Sequence, residues 1–375
     1  MAKNGFKFID PDLHVFEPAD LWQRYIEPRY RDSAPVGLSS FPNDMCMMHE
    51  GKLIARYSRP TTSYSLYTDN RRDRYQDFHA RHFAPDVELE AMDTEGIDLA
   101  VLYPTRGFYA VGKEYDDDGL AAAVARAYNN WLAEYCSADP ARLFGSGLVH
   151  PQNVDAAIHE ARRMKNELGF RSLYLRPNPV RNRNWNNPVY DPLWAECEKL
   201  DLPVAFHEGQ PCDLPVAGGD RFDGRFEDLW ITEHVMSHPL EMMYAMVCMI
   251  GGGVLERFPG LKVAFLEANC SWVPYWLWRL DEHHEHRETE LKKTIPRRPS
   301  EYFQQQCYVS VEADEHQGVW VATQIGDDNI VFSTDFPHED SRYPNALDTF
   351  LELGFPAETY RKILWDNAAR YYGFH

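Results

Sequence analysis

Four stretches of this chain carry ionisable residues directly after short apolar runs. FKFIDPDLH ends in Asp12-Leu13-His14, LPVAFH in His207, LKVAFLE in Glu267 and NIVFSTD in Asp335. If these runs are strands, Asp12 and His14, two residues apart, point to the same face. Carboxylates and imidazoles together make a mixed oxygen and nitrogen donor set that suits Zn²⁺, Mn²⁺ or Fe²⁺. Such a set activates water, with Asp335 placed to accept its proton. Each residue also has an ordinary reading. A lone strand-end histidine is commonly a hydrogen-bonded core residue, Asp335 before Phe-Pro-His can cap a helix, and Asp12 after Pro11 can sit in a turn. Four such coincidences on one rim favour the joint reading, a metal centre of one or two ions.

Other side chains are candidates to support that centre. His238 precedes Pro239 in a long helical region and is placed to face it, while His338 follows Asp335 by three residues and Glu17 lies on the first loop. Both His338 and Glu17 are candidates to hold a ligand by a hydrogen bond, and Glu17 also to be one. Arg106 and Arg176 follow the second and fourth strands and are candidates to bind a substrate carboxylate, with a surface position as their other reading. His49, His79 and His82 fall in an irregular stretch, and His283, His284 and His286 in DEHHEHR are expected to be solvated at a charged helix end.

The elements that must position these residues alternate. Strand-like runs at 6–14, 97–105, 142–151, 170–177, 202–209, 261–269, 307–314 and 329–338 are separated by helical runs, of which LAAAVARAYNNWLAEYC (120–136) has the clearest spacing of three and four. Strands alternating with helices imply a parallel sheet, and eight units fit a closed (β/α)₈ barrel of the TIM type better than an open sheet. In a barrel all strand ends share one rim, which is where barrel enzymes carry their sites. The segment from about 30 to 85 breaks the rhythm and is expected to be a lid-like insertion over the C-terminal mouth, with 210–226 a smaller loop of the same kind. The whole chain, 1–375, reads as a single barrel domain with insertions.

Composition narrows the partners. The 375 residues are 44% hydrophobic and 14% aromatic, enough for a large core, and the formal net charge is −20 with a pI near 5.1. That charge repels nucleic acid and anionic lipid, so a small molecule is the expected partner. The seven cysteines are scattered with no C-x-x-C, which reads as free thiols in a reducing compartment. The start, MAKNGFKFIDPD, has no apolar signal-peptide core, and the longest apolar stretch, 236–255, is too polar to span a membrane. A cytoplasmic protein is the expectation. Self-association is a further one, with the Trp-rich helix 272–280 either its interface or part of the core.

The motifs IDPDLHVFEPADLW, AFHEG, GGGVLERFPGLKVAFLEANCSWVPYWLWRLDE, FSTDFPHED and NAARYYGF, in this order and spacing, resemble the amidohydrolase-related family, in the branch that includes aminocarboxymuconate-semialdehyde decarboxylase and aromatic acid decarboxylases. The resemblance covers most of the chain and implies a distorted (β/α)₈ barrel with a divalent metal at the strand ends. It implies that Asp12 and His14 take the place of a first-strand His-x-His or Glu-x-His pair. It also implies that His207 is the fifth-strand ligand and that Asp335 is the last-strand aspartate, which ligates the metal or activates water. Two departures stand out: the first pair begins with aspartate, and the sixth strand ends in Glu267-Ala268-Asn269 where the family usually has histidine.

That second departure sets the functional expectation. With Asp12, Glu17 and His238, Glu267 has the chemistry to complete a second metal site, and two ions favour hydrolysis by a bridging hydroxide. The leading expectation is therefore a hydrolase acting on an amide, ester or thioester of an apolar or aromatic acid. The alternative is non-oxidative decarboxylation of an aromatic or dienoic acid, in which the metal holds the substrate carboxylate and an adjacent oxygen, Arg106 or Arg176 grips the leaving carboxylate and Glu267 acts as the acid. A third reading, a catalytically inactive metal-binding scaffold, leaves the poised Asp335 without a use.

Overall fold

Each of the eight apolar runs between the helices contains a strand. The computed structural model describes residues 3, 5–38, 47–54, 75–208, 213–217, 233–338 and 341–374. In chain order its strands are β1 (Ile9–His14), β2 (Val36–Gly37), β3 (Met47–His49), β4 (Lys52–Leu53), β5 (Leu99–Tyr103), β6 (Leu143–Leu148), β7 (Ser172–Leu175), β8 (Val204–His207), β9 (Val263–Leu266), β10 (Cys307–Val311) and β11 (Ile330–Phe332). Eight of them form one parallel sheet in the order β1-β5-β6-β7-β8-β9-β10-β11. Sequence order and spatial order coincide, as they must when each strand is followed by a helix that returns the chain in the same sense. Strands β1, β7, β8, β9, β10 and β11 are buried along their whole length, as expected of a parallel sheet covered on both faces.

The seam between the first and last strands is joined by side-chain and backbone hydrogen bonds. Asp10 accepts hydrogen bonds from the Thr334 hydroxyl (2.6 Å) and backbone N–H (3.2 Å), and the His14 N–H donates to Phe336 O at 2.8 Å. These contacts join residues more than 300 positions apart and bring Asp335 beside Asp12 and His14. At the opposite side of the rim, His207 pairs with Leu266, which places Glu267 one residue beyond it. A register shift in β1 between Asp10 and Leu13 marks where Pro11, lacking an N–H, interrupts the ladder.

The helices carry the local signals their sequences announce. Helix Asp118–Cys136 starts at Asp117, whose carboxylate accepts from Gly119 N and Leu120 N, and helix Val154–Arg163 starts at Asn153. Helix Val273–His286 is two-sided: Val273 and Leu277 pack inward, while Tyr275 and Trp278 are each 57% exposed. His284 corrects the expectation of a solvated histidine run. It is buried, with Nε2 2.8 Å from Ile295 O, because the helix turns that face onto the following segment. His283 and His286 are exposed.

The irregular stretch expected at 30–85 contributes a three-stranded antiparallel sheet, β2-β3-β4, with 39–46 and 55–74 outside the described residues. Gly37 N donates to Ala19 O, and Lys113 Nζ lies 2.8 Å from His49 Nδ1. A Cβ at Gly37 would meet Ala19 and Arg106 Nη1 at 2.8 Å, so only glycine admits this approach to the barrel rim. Among the described residues, no helix is long and apolar enough to cross a membrane.

Candidate metal centre

β1 and β8 each end in a histidine whose outer nitrogen is tied to a backbone carbonyl. His14 Nδ1 is 2.8 Å from Pro104 O and His207 Nδ1 is 2.6 Å from Glu208 O. A carbonyl only accepts, so each Nδ1 carries a proton and each Nε2 is the nitrogen turned to the rim, where an ion would take its lone pair. Asp12 lies between them, with Oδ1 at 3.5 Å from His14 Nε2 and 3.3 Å from His207 Nε2. Asp335 Oδ1 is 3.2 Å from His14 Nε2, and Glu267 Oε2 is 2.8 Å from His207 Nε2 and 3.7 Å from His14 Nε2.

These spacings test whether an ion fits. Ligands about 2.1 Å from a common cation sit roughly 3.0–3.5 Å from one another, and most of the distances above fall at or near that range. Asp12 Oδ1 and Oδ2, His14 Nε2, His207 Nε2 and Glu267 Oε2 are buried and make no hydrogen bond among the described residues, although they converge on one space. Two overlapping groups could hold an ion, Asp12–His14–His207 and His14–Glu267–Asp335–His338, and His14 belongs to both. The donors present fit a divalent cation.

Electrostatics point the same way. Burial raises the Asp12 carboxyl, with the nearby His207 opposing the rise. Burial also holds His14 well below its ordinary value, helped by the neighbouring His338 and His207. For His207 burial disfavours the charge, but the Asp12 and Glu267 carboxylates outweigh it and push the pKa up to about 10. The cluster of carboxylates thus draws positive charge to the point between its members, where a cation would supply it. Glu267 and Asp335 also hold left-handed backbone conformations, φ +49° and +52°, which cost a non-glycine residue energy that the surrounding fold must offset.

A second set of residues holds the first. The Glu17 carboxylate accepts from the backbone N–H groups of Thr105, Arg106 (2.7 Å) and Gly107 (2.8 Å), the start of helix Arg106–Val111. That helix lays the Phe108 ring on His207, centroids 4.9 Å apart at 25°. His338 stacks on His14 and bridges Asp335 Oδ1 (2.9 Å) to Thr105 Oγ1 (3.0 Å). His238 Nε2 is 3.4 Å from Glu267 Oε1. Arg106 is fully buried beside Gly37, and Arg176 is buried in an ion pair with Glu208 at 2.5 Å.

All of the strand-end residues expected to ligate are therefore gathered at one point, with His238 and His338 beside them. Glu17 supports the site through backbone amides. Sequence reasoning passed over Phe108 and Glu315. The Glu315 carboxylate accepts from Cys270 N, Ser271 N and Ser271 Oγ and so clamps the turn that follows Glu267. Neither carries a sequence signal, since each acts through packing or backbone contacts with distant segments. Glu208 did carry one: it directly follows His207 in AFHEG.

The family described as Amidohydrolase matches residues 9–374. The chain is 26% identical over 300 residues to 2-amino-3-carboxymuconate-6-semialdehyde decarboxylase of Dictyostelium discoideum, covering 80% of this chain and 79% of that one. It is 27% identical over 290 residues to gamma-resorcylate decarboxylase of a Polaromonas species, covering 76% and 85%. The crystal structure of 5-carboxyvanillate decarboxylase from Novosphingobium aromaticivorans, complexed with manganese and 4-hydroxy-3-methoxy-5-nitrobenzoic acid, superposes with a TM-score of 0.71 at 20% identity over 99% of this chain and 97% of that one.

These relatives overturn the expectation of a hydrolase, which rested on Glu267. Both curated proteins and the superposed structure are decarboxylases. The geometry supplies the reason: Glu267 aims into the space that the other donors share, next to His207, so a carboxylate there does not by itself open a separate hydrolytic site. The chain belongs to the amidohydrolase family, in the branch that includes aminocarboxymuconate-semialdehyde decarboxylase.

Proposed function

We propose that this protein is a metal-dependent, non-oxidative decarboxylase of an aromatic carboxylic acid. The observation that carries the proposal is the convergence of Asp12, His14, His207 and Asp335 on one buried point, in a chain whose curated relatives are decarboxylases. In this reading those four residues hold the ion, with Glu267 at its edge. Three carboxylates and two imidazoles make a set richer in oxygen than zinc usually takes, which favours Mn²⁺. When bound, a divalent ion supplies the positive charge that orients a carboxylate together with a neighbouring oxygen substituent.

The chain's own groups do the rest. Decarboxylation breaks the bond between the ring carbon and the carboxylate, and the electron pair of that bond takes up a proton as CO₂ leaves. Glu267 and His238, 3.4 Å apart, are the pair we assign to deliver that proton. His338 keeps Asp335 turned toward His14, and Phe108 keeps water from one face of His207. The small sheet β2-β3-β4 serves as part of a cover, a reading supported by its contacts with Ala19, Arg106 and Lys113 near the strand ends.

The test is to purify the protein without chelators, determine metal per chain, and follow CO₂ release from 2,6-dihydroxybenzoate and 5-carboxyvanillate in the presence of Mn²⁺. About one equivalent of metal with release of CO₂ supports the proposal. Absence of metal uptake, or turnover of esters and amides with no decarboxylation of either acid, would sink it.

A further inference from the structure

Arg176 follows β7, where a substrate carboxylate would be gripped, but each of its three nitrogens donates a hydrogen bond inside the protein. Its side chain is 3% exposed and that of Glu208 is 1% exposed. Nη2 donates to Glu208 Oε1 at 2.5 Å, Nε to Asn178 Oδ1 at 3.0 Å and Nη1 to Phe108 O at 3.2 Å. A guanidinium presents its donors in a rigid fork, so these three bonds fix its plane.

Two of the three partners meet His207. Glu208 is its chain neighbour and offers the carbonyl that accepts from His207 Nδ1. Phe108 supplies the ring that stacks on the imidazole. Tyr174, two residues before Arg176, donates its hydroxyl to His207 O at 3.2 Å. The arginine therefore ties together the two contacts that determine which nitrogen of His207 is protonated and how the ring is tilted. Glu241 also lies near the pair: burial and the neighbouring Glu208 push its carboxyl up to about 8, with the Ala217 N–H and Arg176 opposing the rise.

We infer that Arg176 is a positioning residue, which acts through Glu208 and Phe108 to hold His207 Nε2 in its ligating orientation and does not itself touch the substrate. The inference rests on the proposal that His207 binds the metal. Groups that orient a ligating histidine typically change metal affinity by about 10–100-fold when removed.

The experiment measures Mn²⁺ affinity, by competition with a chelator, for the full-length wild type, Arg176→Gln, Arg176→Lys and the double variant Arg176→Met/Glu208→Leu. Leu347→Ala, a buried position in the helix Ala346–Leu351, serves as a control for general destabilisation. The expected result is a loss of about 10–100-fold in Arg176→Gln and a smaller loss in Arg176→Lys, which keeps the charge without the fork. The control should keep wild-type affinity even when its melting temperature falls as far. Should Arg176→Gln not fold, the double variant leaves no charge buried alone, and it is expected to bind Mn²⁺ at least tenfold more weakly. Wild-type affinity in Arg176→Gln or in the double variant overturns the inference, as does an equal loss in the control. A responsive Mn²⁺ affinity without decarboxylation of any acid leaves Arg176 a positioning residue and removes the decarboxylase reading alone.

Discussion

The imidazole of His338 lies on that of His14, centroids 3.9 Å apart and planes at 28°. The two rings belong to opposite ends of the chain and meet across the seam between β1 and β11, where Asp10 and Thr334 close the barrel. His14 directs Nε2 to the centre, whereas His338 spans Asp335 and Thr105. The stack thus couples one proposed ligand to the residue that orients another.

Removing His338 should separate orientation from ligation. In His338→Asn the shorter side chain loses the bridge to Thr105 and with it the hold on Asp335. Turnover is expected to fall by roughly 10²-fold, within the range of lost positioning by a 1 Å displacement. Metal content should stay at the wild-type level. Metal analysis beside steady-state kinetics decides it, and complete metal loss would make His338 a ligand.

Glu267→Gln discriminates between ligand and proton carrier. If Glu267 works with His238 on the proton, the amide keeps the shape of the site and the metal, and kcat falls by about 10²–10⁴-fold. Loss of most of the metal from the purified variant would instead assign Glu267 to the ion.

Glu315 offers a test of the turn that carries Glu267. Its carboxylate is the shared acceptor for Cys270 N, Ser271 N and Ser271 Oγ, and it also receives Glu312 N. Glu315→Ala leaves buried donors unsatisfied and is expected to lower stability by about 2–3 kcal/mol. Urea unfolding measures this. Activity per folded molecule should fall as well, because Glu267 holds a left-handed backbone that the clamp maintains.

Acid should destabilise the fold through His150. Burial pulls its pKa down to about 4, with Arg181 and Lys113 adding to the effect and Asp118 opposing it, while its Nε2 is 2.8 Å from Lys113 O beside the Tyr115 ring. The unfolded chain protonates this histidine near 6.5, so between pH 6.5 and 4 the unfolded state binds more protons and stability drops as pH falls. The loss from this group reaches up to about 3 kcal/mol at the acid end. Unfolding free energies of wild type and His150→Gln between pH 4.5 and 7 should converge as pH falls, and parallel curves would contradict the assignment.

Much of this architecture was legible from residue order alone. Eight apolar runs alternating with helical ones imply a parallel barrel, and a barrel brings every strand end to one rim, so Asp12, His14, His207, Glu267 and Asp335 could be placed together without coordinates. What residue order left open was the use of Glu267, because a carboxylate serves a second ion or a proton equally well until its neighbours are known. The tertiary structure decided that Glu267 lies between His207 and His238, that Glu17 caps a helix, and that Arg176 is bound to Glu208. It also buried His284, which the charged run around it had suggested was solvated. These outcomes depend on contacts between segments distant in sequence, and local periodicity encodes the direction of a side chain but not the partner it will meet.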